Sequence, residues 1–201
     1  MNGVSKIPFV NRGGFYKNVR WDDLRVPLNA LTTGPTKSPG FAKYKDNGAG
    51  SDGIFIYFFD AGSEEQLFFA AQLPHTYKEG TILKPHIHWI PSAAGGAGEV
   101  VNWGLEYAIK SAAGVFGNTT IISANSHAPA DSSLAQDKHY ITGLPDISGS
   151  GLTISAMIIG RLFRDAGGVL GTDDYGADAG LLEIDFHFEK DADGSRQEYI
   201  K

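Results

Sequence analysis

Two histidines one residue apart, His86 and His88, stand in the run Gly80-Thr-Ile-Leu-Lys-Pro-His86-Ile-His88-Trp89. The run is β-prone, and in a strand alternate side chains share a face. Both imidazoles therefore point one way while Ile87 and Trp89 point the other. Paired imidazoles are half of a transition-metal site, or a polar stripe on a sheet satisfied by neighbours such as Glu106 or by water. Further ligands would come from Glu106, Glu183, Asp185 or His187, since two histidines with a carboxylate bind iron-like ions. A structural alternative needs no catalysis: three copies meeting with His86 and His88 on their axis would close six imidazoles around one metal and staple a trimer.

Strands must carry these residues. From Ser51 onward, short β-prone runs are separated by Gly, Asp, Asn or Pro, and strands are expected near 53–60, 65–74, 82–91, 99–110, 118–124, 138–142, 152–163 and 179–190. Their tight and long connections suit an all-β domain over residues 53–201, an eight-stranded jelly roll or another Greek-key β-sandwich. In strand 99–110, Val101, Trp103, Leu105, Tyr107 and Ile109 share a core face. In strand 179–190, Leu182, Ile184, Phe186 and Phe188 face the core, and Glu183, Asp185 and His187 the other side. Strand 152–163 is apolar on both faces, with Ile154, Ala156, Ile158 and Leu162 inward and Met157, Ile159 and Phe163 opposite, which hints at a partner.

Residues 1–52 read as an extended N-terminal arm. Gly13-Gly14, Pro27, Gly34-Pro35 and Pro39-Gly40 interrupt it too often for long elements. At most Trp21-Asp-Asp-Leu-Arg25 makes a short turn capped by Asp22 or Asp23. The arm nevertheless carries Phe9, Phe15, Tyr16 and Trp21, large apolar groups that need burial against its own domain or a neighbouring subunit. These four are the candidate interface residues.

Composition narrows the function. The 201 residues include no cysteine, so disulfides, thiolate ligands and a cysteine nucleophile are absent. A formal net charge of −6 disfavours nucleic acid and anionic membranes as partners, and no apolar run approaches a membrane span. The start has no apolar core of a signal peptide. No Gly-x-Ser-x-Gly elbow or phosphate loop is present, and the paired carboxylates fall in turns. Asp173-Asp174-Tyr-Gly-Ala-Asp178 reads as a solvated acidic turn rather than a calcium loop. Rings in 55–59, Trp89 and Trp103 are core or a platform for sugars. No catalytic residue and no cofactor is expected beyond a structural transition metal at His86 and His88.

Two resemblances add to this. Gly80-x5-His86-x-His88 resembles the opening of the first cupin motif, but the glutamate expected after it is missing from Trp89-Ile-Pro-Ser-Ala93, and Gly143-Leu-Pro-Asp-Ile-Ser-Gly lacks the second motif's histidine. Taken together, Trp21-Asp-Asp-Leu-Arg-Val-Pro-Leu28, Gln72-Leu-Pro-His-Thr-Tyr-Lys-Glu-Gly80, Pro85-His-Ile-His-Trp89, Trp103-Gly-Leu-Glu-Tyr107, Phe116-Gly-Asn-Thr-Thr120, Leu182-Glu-Ile-Asp-Phe-His187 and Gly194-Ser-Arg-Gln-Glu-Tyr-Ile-Lys201 resemble a family of tailed-bacteriophage virion structural proteins. That resemblance implies a particle component rather than an enzyme, present in the virion and assembled in the host cytoplasm. It implies a head cement or decoration protein that clamps the major capsid protein or other virion proteins as a homo-oligomer, with a trimer favoured. The alternative is a tail, collar or fibre component binding host surface glycans, and the third reading a cupin-like metal-dependent enzyme.

Overall fold

The computed structural model describes residues 19–126 and 133–201. Phe9, Phe15 and Tyr16 lie outside the described residues. Eleven strands run in the order β1 (Arg20–Pro27), β2 (Thr32–Thr33), β3 (Gly40–Lys45), β4 (Ile54–Phe59), β5 (Glu65–Gln72), β6 (Leu83–Pro91), β7 (Asn102–Lys110), β8 (Thr120–Asn125), β9 (Tyr140–Gly143), β10 (Met157–Arg164) and β11 (Ala179–Lys190). A 3-10 turn at Leu28–Ala30 separates the first two. Among the described residues no helix is long and apolar enough to cross a membrane.

The strands form two antiparallel sheets. One has the order β3-β4-β11-β6-β9 with β1 also on β11, and the other has the order β2-β5-β10-β7-β8. The eight strands from β4 onward pair as a nested series, β4 with β11, β5 with β10, β6 with β9 and β7 with β8. This is one long hairpin rolled over on itself, and the added pairs β6–β11 and β7–β10 close the roll. The architecture is an eight-stranded jelly roll, as expected from the run lengths and connections.

Stretches read as arm behave differently from that expectation. Residues 21–25 are not a turn but the body of β1, paired to β11 from Arg20 opposite Lys190 to Pro27 opposite Glu183. The alternation of Trp21, Asp23 and Arg25 with Leu24 and Val26 is that of a half-buried strand: Val26 is buried and Leu24 packs on the core. β3 likewise pairs with β4, so residues 20–45 contribute to both sheets.

Between the sheets lie Phe59, Leu67, Ile87, Trp89, Trp103, Leu105, Ile158, Leu162, Ile184, Phe186 and Phe188, all essentially removed from water. Each large side chain so buried contributes about 1.5–3 kcal/mol. Trp89 meets Trp103 edge-on at 6.1 Å and its indole N–H donates to Thr142 Oγ1 at 3.0 Å. Arg164, fully buried, pins the 165–178 connection. Its guanidinium donates to both carboxylate oxygens of Asp173 at 2.7 and 3.0 Å and to the carbonyls of Phe59, Tyr175 and Ala177. The carboxylate of Asp174 accepts from the Val100 N–H. Two of the three acids of the expected acidic turn, Asp173 and Asp174, thus hold the loop in place.

One expectation about β11 is corrected. Leu182 does not join the core face, because a β-bulge between Leu181 and Glu183 shifts the register against β6. Ala179 and Leu181 face inward before the bulge, and Ile184, Phe186 and Phe188 after it. The bulge sits where the other side of β11 changes neighbour, from β4 to β1.

Candidate functional site

The outward face of the first sheet is assembled by register. Asp23 lies opposite His187 and His187 opposite Lys84; Arg25 lies opposite Asp185 and Asp185 opposite His86; Glu183 lies opposite His88 and His88 opposite Ile141. Inward-facing Ile87 and Trp89 are fully buried, so His86 and His88 stand on the outer face, as the alternation predicts. They do not line the inside of a barrel, which is where a cupin would place them. Glu106 is excluded from this group: it stands on the other sheet, accepting from Arg161 at 3.0 Å and Thr119 at 2.7 Å. His187 is brought in, its ring centroid 5.8 Å from that of His86.

Asp185 is the centre of the array and is only 4% exposed. One oxygen, Oδ2, lies 3.0 Å from His88 Nε2. The other, Oδ1, is 3.3 Å from His86 Nδ1 but has no aligned hydrogen bond, and it is buried. Burial pushes the Asp185 carboxyl above its ordinary value, against the pull of His88 and His86. His88 Nδ1 in turn lies 2.9 Å from His139 Nε2, forming a chain Asp185–His88–His139 across three strands and their margins. Around it, Arg25 grips Glu183 through two nitrogens at 2.6 and 3.0 Å, and Asp23 bonds His187, on which Trp21 stacks at 5.0 Å. Trp21 is therefore part of this face. His88, Glu183 and Asp185 each bring a donor atom to within 4.8 Å of the others.

His139 and Arg25 carry no signal of their own in the sequence, because only the pairing of β1 and β9 with their neighbours brings them here. Asp185, named as one ligand candidate among several, gains its central place from the bulge, which sets it beside both imidazoles.

A second feature lies on β3 and β4. Phe41 is opposite Tyr57, which shares its face with core Phe59, so Phe41 and Phe55 stand on the inner face of the sheet. They are nevertheless 59% and 42% exposed, because the second sheet does not reach over them. The Phe41 ring lies 5.7 Å from that of Phe55 at 29° and 4.9 Å from that of Tyr57. This aromatic ledge ends at a hairpin whose open hollow is lined by Lys45, Asp46, Asn47, Asp52 and Ile54. Trp89 and Trp103, the other rings read as core or platform, are core.

No known family model matches the chain, and no curated protein matches it. Among solved structures it is similar to TmCBM61 in complex with β-1,4-galactotriose, at 12% identity over 85% of this chain and 88% of that one, with a TM-score of 0.35. It is also similar to a CBM35 from Cellvibrio japonicus Abf62, at 9% identity over 81% and 97% of the two chains and a TM-score of 0.36. A third is TmCBM27, described as a carbohydrate-binding module for specific mannan recognition, at 14% identity over 84% and 98% and a TM-score of 0.36. Overlap this low adds nothing to what the strand order already says.

Proposed function

We propose that this protein is a non-catalytic binding component of a bacteriophage particle, a tail, collar or fibre element that holds host surface glycans on its aromatic ledge. The observation that carries the reading is the pair of exposed, stacked rings Phe41 and Phe55, with half-buried Tyr57 tilted against Phe41, at an end of the sheet's inner face that no layer covers among the described residues. Flat apolar rings left in water beside a hollow edged by Asp46, Asn47 and Asp52 match the alternating apolar faces and hydroxyl edges of a sugar. The bacteriophage context comes from the resemblance of the sequence alone. Oligosaccharides of cell-surface composition are expected to bind in calorimetric titration, and Phe41→Ala or Phe55→Ala to weaken them at least tenfold, about 1.4 kcal/mol. Absence of any oligosaccharide binding, or binding indifferent to both substitutions, overturns it.

One observation favours the head cement reading as the second. The outer face of the sheet β2-β5-β10-β7-β8 exposes Ile159, Met157 and Ile121, with no layer over them among the described residues. A cement protein would press this face on the major capsid protein. Ile159→Lys should then release it from assembled shells, and attachment unchanged by that substitution removes this reading.

A further inference from the structure

The geometry points to a divalent transition-metal site within a single chain, with His88, Glu183 and Asp185 as its ligands on the outer face of the sheet. The three belong to two adjacent strands, β6 and β11, with Glu183 directly opposite His88 in register. Their donor atoms already gather within 4.8 Å of one another. An ion such as Zn²⁺ holds its ligands at about 2.0–2.2 Å, so closing the site needs only a small inward turn of side chains, Glu183 exchanging part of its contact with Arg25 for the metal.

The second observation is independent of that clustering. Asp185 Oδ1 is buried, lies 3.3 Å from His86 Nδ1 on the same outer face, and has no hydrogen-bond partner among the described residues, while Oδ2 of the same carboxylate lies 3.0 Å from His88 Nε2. In its ionised form a carboxylate so placed is stabilised by positive charge. Of the permanent cations nearby, Arg25 is committed to Glu183, Lys84 to Asp146 and Lys190 to Asp22, and the nearest imidazole nitrogen, His86 Nδ1 at 3.3 Å, makes no aligned hydrogen bond to this oxygen. A bound dication would supply the missing charge and the missing contact together. An imidazole with two carboxylates suits borderline ions of the Zn²⁺, Co²⁺ or Fe²⁺ kind rather than calcium. His139, 2.9 Å from the far nitrogen of His88, would orient the ligating ring, the usual task of a group behind a metal-bound histidine. This site stands on the opposite face of the sheet from the aromatic ledge, and neither proposal depends on the other.

The test uses the full chain without a histidine tag, stripped of metal and titrated with Zn²⁺, followed by native mass spectrometry and, with Co²⁺, by its visible absorption. One ion per chain is expected. His88→Ala and Asp185→Asn should each abolish it, whereas Glu106→Gln, on the other sheet, should leave it intact. Asp185→Asn preserves the shape of the side chain, and a circular dichroism spectrum matching the parent shows that it folds. No binding, binding that survives Asp185→Asn in the folded variant, or one ion shared among several chains would overturn the assignment. The last outcome would instead favour imidazoles of neighbouring copies meeting at one ion.

Discussion

Arg164 and Asp173 form a pair with almost no exposure on either side, 0% and 1%. Arg164→Met leaves the Asp173 carboxylate buried beside three carbonyls that have lost their donor, so it is expected to cost roughly 3–5 kcal/mol; urea unfolding monitored by tryptophan fluorescence measures it. Glu65 gives a pH dependence. Burial lifts its carboxyl above the ordinary value of 4.5, and the N–H of Asp60 only partly offsets this. The folded chain therefore holds that proton more tightly than the unfolded chain, so this contribution is present below 4.5 and fades as the pH rises through the folded value. Glu65→Gln removes the dependence. Its stability relative to the parent should improve between about pH 4 and about pH 7, and an unchanged difference across that range would contradict the account. Residues of this kind are poorly legible in sequence: Arg164 looks like one more exposed cation until the 165–178 loop is folded over it.

At the scale of the strand, close approach governs two places. Gly104 lies under the ring of Phe163, where an added Cβ would stand 2.2 Å from the nearest ring atom. Phe163 is itself covered by the Arg161 guanidinium at 4.2 Å, which explains how an outward-facing phenylalanine is 1% exposed. Gly104→Ala should destabilise by about 1–3 kcal/mol, and Phe163→Leu in the same chain should recover part of the loss, as thermal melts of the two variants would record. The bulge at Leu182 is the second place. Leu182 is the extra residue there: without it Leu181, Glu183 and Ile184 alternate inward, outward and inward and pair with Trp89, His88 and Ile87 in unbroken register, so its deletion is expected to give a folded chain, as a circular dichroism spectrum matching the parent would record. Eight strands were legible because each has its own alternation and flanking turn residues. β1 and β3 were not, since Pro and Gly punctuate residues 27–40 so densely that their short alternation reads as irregular chain. The bulge was invisible for a different reason: a strict period of two extends Leu182-Ile184-Phe186 smoothly, and only the pairing with β6 shows where the phase slips.

For the molecule as a whole, the nested pairing means that the strands joined last in sequence lie beside those made first, β11 against both β4 and β1. Closing such distant pairs is slow, and refolding over milliseconds to seconds or longer is expected from topology of this kind; stopped-flow refolding checks it. The jelly roll was readable from connection lengths, whereas the two candidate sites were legible only in part. His86 and His88 announce themselves by spacing, but the aromatic ledge joins Phe41 to Phe55 across the hairpin at Asn47-Gly-Ala-Gly50, whose turn residues do not tell which face of the sheet either ring takes.

The joining of β1 to β11 also decides how the molecule would bear load. Arg20 and Lys190 face each other at one end of an antiparallel pair, with Pro27 and Glu183 at the far end. A pull applied through Arg20 and Lys190 would strain the inter-strand hydrogen bonds one after another instead of all together, because those bonds lie across the strands. β1 would peel away like a zip at low force, baring the seam that carries His187 and Asp185 while the nested roll of β4 to β11 stays closed.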